Sequence, residues 1–347
     1  MCSNVKVTIR TIAERSGVSV PTVSRVLNTP ELVRAETRAK VMAIVNELNF
    51  YPNESARRLR TESPSTIGVI FPQLRDFFFA EIYKGMFDAA AAAGLDILLH
   101  DGQMDHARMV EGFRILKRRQ CSAIIFASVA ITPQVEFAAA RTSLPVAYVL
   151  TESQREPHAA FMVDEIKAAF DATAHLITRG HREIGMISGP LTNPIAGKQR
   201  WDGYQQALRH YGLNYDERLV VFGEFRFEHG YAATEELLRR AAGSRPPTAI
   251  FAVSDEMAVG AIRCLFDHGL GVPEDVSVMG FDNIRLADMV TPKLSTVAQP
   301  FEEIGAAAVQ YLAHGARGDA RTLCRTQYLP HTVIARESTR MLPCDTS

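Results

Sequence analysis

Residues Thr8 to Asn28 read TIRTIAERSGVSVPTVSRVLN, and two short helices can be drawn from them directly. Ile9, Ile12 and Ala13 recur at helical spacing and are followed by Arg15-Ser16-Gly17. Glycine reaches positive φ without steric cost, so Gly17 marks the reversal between the helices. Ser19 is placed to cap the second one, and Pro21 is tolerated in its first turn, where the N–H groups lack intrahelical partners. Val23, Val26 and Leu27 point inward, leaving Val20, Pro21, Thr22, Ser24, Arg25 and Asn28 on the outer face. Two short helices joined by a glycine turn make a helix-turn-helix. The outer residues suit DNA, because short hydroxyl and amide side chains bond phosphate oxygens and Arg reads guanine O6 and N7 bidentately. One arginine on a helix is commonly a solvated charge, but that reading does not cover the whole set.

The segment VSVPTVSRVLN at Val18–Asn28 resembles the recognition helix, VSxxTVSRVLN, of the lactose/galactose repressor (LacI/GalR) family of bacterial transcription regulators. The resemblance implies that Val20, Pro21 and Arg25 face base edges. Thr22, Ser24 and Asn28 would hold phosphates, with Ser19 at the helix start. Downstream, Ala35–Leu48 reads as a third helix whose stripe of Val41, Ile44, Val45 and Leu48 packs on the first two. Pro52 then blocks helix continuation, and Asn53 is a ready cap for the short NESARRLR segment, which is too short to be stable alone. Taken by itself that segment is a basic linker. In the family it is a hinge helix, which implies that Asn53, Ala56, Arg57 and Leu59 meet the minor groove, Leu59 as an apolar wedge. The polar TESPS at Thr61–Ser65 closes this unit.

The 347 residues exceed one ordinary domain, and 47% hydrophobic with 22% charged content is that of a globular protein. The formal net charge of -1 conceals an uneven distribution. Residues 1–63 hold ten Lys and Arg against six Glu, whereas the rest holds 28 against 33 acidic residues. A basic head on an acidic body fits a DNA-binding end and a separate ligand-binding body. The five cysteines show neither CxxC pairing nor metal-ligand spacing, so thiols in a reducing cytosol are expected, with no metal and no cofactor. No signal-peptide region and no uncharged apolar run of about 18 residues appear, so a cytoplasmic protein without membrane association is expected.

From Ile67 the pattern alternates short apolar runs with amphipathic stretches. Strands are predicted at 67–71, 96–100, 123–127, 145–149, 161–163, 184–188, 219–222, 249–253 and 276–280. Helices are predicted at 80–93, 104–117, 167–178 and 200–210, among others. This is the signature of βαβ units and parallel sheets, and the number of strands favours two doubly wound lobes. Neither GxGxxG after the first strand nor GxxxxGK[ST] is present. The segments GHREIGMISGP (180–190), RWDGY (200–204), SDEMAVGA (254–261), VPEDVSVMGFDN (272–283) and TPKLSTVAQP (291–300) extend the family resemblance through the body. It implies a periplasmic-binding-protein-like body over 65–340 behind a head at 1–50 and a hinge at 51–64. The N-lobe would be about 65–162 with 294–326, and the C-lobe about 163–293 with 327–340.

Ligands of doubly wound sheets collect at the C-terminal strand ends. Asp101, Ser254, Asp255, Asp282 and Asn283 stand there, Arg200 and Trp201 open a helix, and Phe77, Phe78 and Phe79 follow the first strand. Strand-end Asp and Ser are also common helix caps, Arg200 is also a candidate structural ion pair, and the phenylalanines are also candidate core. The resemblance implies that Arg200, Asp282 and Ser254 contact the effector, with Phe78 and Phe79 at the cleft mouth; Phe225, Asp101 and Trp201 are further candidates for its lining. Sugar-responsive members often end the strand after the Pro-Val stretch in Asp-Arg. Here Tyr148-Val149-Leu150-Thr151 lacks both.

The expectation is a repressor that binds a pseudo-palindromic double-stranded operator as a homodimer. A small-molecule effector, carbohydrate or nucleobase, would control it. A transporter's solute-binding protein would need an export signal and leaves the head unexplained. An enzyme would need a nucleophile elbow, a metal cluster or a close acid/base pair, none of which can be read here.

Overall fold

The computed structural model describes residues 7–50, 66–127, 130–153, 158–241, 246–315 and 325–343. The chain divides into two compact units, 1–63 and 64–347. The hinge residues Asn53, Ala56, Arg57 and Leu59 lie outside the described residues.

In the first unit, helix α1 spans Ile9–Ser16, α2 Val20–Asn28 and α3 Ala35–Glu47. Thr8 and Thr11 form a reciprocal capping box at the start of α1, which satisfies N–H groups that the helix leaves unpaired. Gly17 takes φ 65° and ends α1, and Ser19 Oγ accepts from Thr22 N to start α2. Ile12, Ala13, Val23, Val26, Val41 and Val45 form the buried core, with Leu27, Leu48 and Phe50 packed against it. Arg15 reaches Glu47 at 2.9 Å, an exposed pair that contributes little.

The second unit holds two six-stranded sheets. The first is built from β1 (Thr66–Phe71), β2 (Asp96–Asp101), β3 (Ala123–Ala127), β4 (Val146–Val149), β5 (Ala159–Met162) and β11 (Thr326–Tyr328). Its order is β11-β5-β4-β3-β1-β2, and every pairing is parallel. The second contains β6 (Ile184–Ser188), β7 (Val220–Phe222), β8 (Ala249–Ala252), β9 (Ser277–Asp282), β10 (Ser295–Ala298) and β12 (Thr332–Ile334). Its order is β12-β10-β9-β8-β6-β7, parallel apart from the β10–β12 pair. Central strands such as β1 and β3 are buried along their whole length, as parallel strands covered on both faces must be.

Helices α4 (Phe77–Ala93), α5 (His106–Arg118) and α6 (Pro133–Thr142) connect the first sheet. In the second lobe lie α7 (Glu165–Thr178), α8 (Arg200–His210), α9 (Phe227–Arg240), α10 (Asp255–Asp267) and the short α11 (Leu286–Met289). Helix α12 (Phe301–Gly315) returns the chain to the first lobe and packs on α4. Their backbones nearly touch: a Cβ on Gly85 would lie 1.9 Å from the Glu302 carbonyl oxygen. Among the described residues no helix is long and apolar enough to cross a membrane.

The structure moves three expected positions. β10 pairs with β9 and so belongs to the second sheet, whereas residues from 294 are expected in the N-lobe; the chain crosses back only after Ala298. β11 likewise extends the first sheet to Tyr328. Phe77, Phe78 and Phe79, expected in a loop, form the first turn of α4, because Asp76 ends the extended segment.

Candidate functional site

On the head, α2 presents Ser19, Val20, Pro21, Arg25 and Asn28 to solvent, and Thr22 is half-buried. Ser24 is a correction. It is buried rather than outward, and Asn28 Nδ2 donates to its carbonyl at 2.8 Å and its Oγ at 3.3 Å. Ser24 follows Val23 by about 100° around the helix, still within the arc that the neighbouring helices cover.

Within the body, a cavity of about 600 Å³ opens between the lobes at the strand ends. Arg200 is its organising cation. Asn193 Oδ1 accepts from Ile195 N and Ala196 N, starting a single wide π-type turn over Pro194–Gln199 that delivers Arg200 to the head of α8. Such turns recur at functional sites. The guanidinium lies over the Phe281 ring, 3.8 Å from its centroid. Its Nε and Nη2 donate to Glu165 at 2.6 and 3.2 Å, and Nη1 donates to the Val253 carbonyl at 2.6 Å. Burial works against the charge, but Glu165 and then Asp282 outweigh it and move the Arg200 pKa up.

Asp282 stands at the end of β9, with its Oδ1 3.7 Å from Arg200 Nη1 and accepting from Gln299 Nε2 at 2.8 Å. Its φ is 114° and that of Asn283 is 57°, left-handed backbone that neighbouring contacts must hold in place. Asp255 supplies one such contact, accepting from Ile284 N at 2.8 Å and Thr296 Oγ1 at 2.6 Å. Arg336 supplies another, donating to Asn283 Oδ1 at 2.8 Å. Burial pushes the Asp282 carboxyl up to about 7 against the pull of Arg200 and Gln299, and burial with the Asp282 charge pushes Asp255 well above the carboxylate range.

Ser254, Phe225 and Phe78 join Arg200 and Asp282 on the cavity wall. Ser254 caps α10 by accepting from Met257 N at 3.2 Å and donates to the Phe225 carbonyl at 3.3 Å. Ser254, not Asp255, is the cap. Leu150, φ 54°, lines the wall where the Asp-Arg pair is missing, so an apolar side chain replaces two polar ones.

Three expected lining residues do not join them. Phe79 is buried against Phe71, ring centroids 4.7 Å apart, and is core. Asp101 points at its own turn, accepting from Gln103 N at 2.9 Å. Trp201 packs edge-on to Tyr215 and under Lys198, away from the cavity.

Residues that sequence reasoning missed complete the wall. Besides Glu165 and Gln299, Arg226 of the second lobe pairs with Asp76 of the first and with Glu256 at 3.3 Å, so an ion pair bridges the cleft mouth. Burial raises the pKa of both carboxyls, and Arg226 opposes it in each. A strand-end position flags Glu165, and adjacency to Phe225 flags Arg226. No group of three His, Cys, Asp or Glu among the described residues is arranged to hold a metal.

Comparison with known proteins agrees with this architecture. Residues 8–53 match the bacterial regulatory proteins of the lacI family, and residues 173–339 match the periplasmic binding protein-like domain. The catabolite control protein A of Priestia megaterium is 34% identical over 336 residues, covering 97% of this chain and 100% of that protein. The lac repressor dimer bound to operator and the anti-inducer ONPF superposes with TM-score 0.84 at 27% identity, over 96% of this chain and 99% of that one. The CelR transcriptional regulator–cellobiose complex gives TM-score 0.71 at 28% identity, over 96% and 100% of the two chains. With a helix-turn-helix head and a periplasmic-binding-protein-like body, the chain belongs to the LacI family of transcription regulators and is not an enzyme.

Proposed function

We propose that the protein is a repressor that binds a pseudo-palindromic operator as a homodimer and is controlled by a carbohydrate or carbohydrate derivative in the interlobe cleft. The observation that carries this reading is the union, in one chain, of the exposed Pro21, Arg25 and Asn28 face with a ligand-sized cleft holding Arg200 and Asp282. One helix-turn-helix reads a half-site, so a two-fold dimer matches a pseudo-palindrome. The basic head supplies sequence-independent affinity and the recognition helix supplies discrimination. Leu59 is proposed as the minor-groove wedge, with Asn53, Ala56 and Arg57 beside it.

In the cleft, Asp282 accepts from ligand hydroxyls, and Arg200 and Ser254 complete the polar end. Phe78, Leu150 and Phe225 supply an apolar wall of the kind that covers a sugar's carbon face. Ligand and operator are then coupled through the relation of the two lobes, and each must alter the other's affinity by the same factor. The similar lac repressor structure carries the anti-inducer ONPF and the CelR structure carries cellobiose. The same walls also suit a nucleobase, whose flat face would lie on the phenylalanines.

A thermal-shift panel on the full chain tests the reading, with mono- and disaccharides, sugar acids, sugar phosphates and nucleobases. A ligand of the folded state raises Tm by mass action. A sugar hit lost in Arg200→Ala is expected. A sugar hit unchanged in Arg200→Ala puts the site elsewhere, and a nucleobase hit replaces the ligand class.

A further inference from the structure

The cleft wall carries more negative than positive charge, with five carboxylates facing three arginines. The two arginines that reach inward are already matched. Arg200 gives Nε and Nη2 to Glu165 and Nη1 to the Val253 carbonyl. Arg226 lies between Asp76 and Glu256. The third, Arg75, is exposed. The charge of Arg200 and of Arg226 is thus already offset by carboxylates, so an incoming carboxylate or phosphate would reach them only through their remaining N–H groups and close beside those carboxylates.

The acceptors present the opposite case. The nearest guanidinium atom to Asp282 Oδ1 is Arg200 Nη1, at 3.7 Å, beyond hydrogen-bond reach. Gln299 uses its Nε2 on Asp282, while its Oε1, in a side chain only 7% exposed, has no hydrogen-bond partner among the described residues. A buried acceptor left unmatched is costly; Gln299 lines the cleft, and a turn of its amide would bring this acceptor to a ligand donor. Gln299 and Asp282 adjoin, so one donor-rich group can serve both. An ammonium brings three donors and the charge that offsets the surplus of carboxylates.

We propose that the cleft is charge-selective: it takes a polyhydroxylated ligand carrying a protonated amine in preference to the neutral parent, and it rejects acidic or phosphorylated counterparts. This rests on the assignment of the interlobe cleft as the effector site. Phe78, Leu150 and Phe225 cover the ligand's carbon face, and the amine sits between Asp282 and Gln299. Burial pushes the Asp282 carboxyl up to about 7, and a bound ammonium would favour its ionised form.

The test uses the full chain and matched ligand sets in several stereochemical series: hexoses, 2-amino-2-deoxyhexoses, hexuronic acids and hexose 6-phosphates. Thermal shift and titration calorimetry are read on wild type, Asp282→Asn, Gln299→Met and Arg200→Ala, each checked for native circular dichroism. In at least one series the amine is expected to bind best and the acid and phosphate not at all. Gln299→Met, which removes Oε1 together with the Nε2 donor to Asp282, is expected to weaken the amine by about tenfold and the neutral parent much less. An acid or phosphate that binds better than its neutral parent overturns the proposal, as does failure of every amine in every series. A neutral or acidic ligand lost in Arg200→Ala would keep the cleft assignment while the charge preference falls. An amine bound equally by wild type and all three variants would remove the cleft assignment itself.

Discussion

Replacing Glu165 by Gln should cost the body about 3 kcal/mol, by the following reasoning. Glu165 and Arg200 side chains are 1% and 6% exposed and joined by two hydrogen bonds of 2.6 and 3.2 Å. Gln keeps the shape and one acceptor, so no cavity opens and the loss is that of the charge. Stranding one member of a buried ion pair costs about 3–5 kcal/mol. Arg200 keeps the Val253 carbonyl, the Phe281 ring and Asp282 nearby, which places the loss at the low end. For a unit of this size that is a fall in Tm of roughly 6 °C. Trp201, the single tryptophan, lies next to Arg200, so urea unfolding followed by its fluorescence reports this region without interference from the head. Arg200→Met should cost a similar amount. The double variant Glu165→Gln with Arg200→Met should lose less than the sum, because it leaves no unpaired charge. A loss under about 1 kcal/mol, or strict additivity of the two changes, would refute the reasoning that Glu165 and Arg200 stabilise the body as a coupled buried ion pair.

Three further outcomes are expected. Asp282 has a folded pKa near 7, above the usual 3.8, so the folded state holds its proton longer than the unfolded one, and this group's contribution to stability falls as pH rises from about 4 to 7. Asp282→Asn should therefore gain on wild type across that window in pH-resolved melts, by at most about 4 kcal/mol; a constant difference across it would count against the raised pKa. Arg226→Ala removes the bridge from Asp76 to Glu256 and should speed amide exchange in both cleft-mouth segments, 72–79 and 223–230, by about threefold or more; unchanged exchange would deny the bridge a role. Arg25→Ala should relax base preference at one position per half-site by about 1–3 kcal/mol, while Ser24→Ala leaves DNA affinity within about twofold; an equal, larger loss on operator and random DNA in Ser24→Ala would restore a phosphate contact there.

Much of the head is legible because its signals are local. Thr8, Gly17 and Ser19 mark helix ends within a few residues of the helices they cap, and the apolar stripes of α1 and α2 have one period. Ser24 escaped this logic, since an arc of burial wider than the apolar stripe is set by the neighbouring helices. In the body, strands such as Ile184–Ser188 are continuous apolar runs bounded by turn residues. β10 reads Ser-Thr-Val-Ala, and β11 and β12 have three residues each, so neither length nor polarity separates them from loop. Their pairing partners, and hence the second crossing point, are tertiary facts.

The cleft divides in the same way. Arg200, Ser254 and Asp282 sit at strand or helix ends, where parallel-sheet topology directs attention, and the structure places them on one wall. Glu165 meets Arg200 across 35 positions and Arg226 meets Asp76 across lobes, relations that no periodicity encodes. Asp101, Phe79 and Trp201 have suitable chemistry at suitable sequence positions, but turn geometry and core packing claim them instead.

The measurement that tests the central claim most directly is selection of bound duplexes from a random DNA pool by the full chain, alongside Arg25→Ala. A sequence-specific dimer should enrich a pseudo-palindrome, and Arg25→Ala should lose the preference at symmetric positions in its two halves. Enrichment of no sequence, or of the same one by both proteins, would contradict the assignment of α2 as the helix that reads DNA.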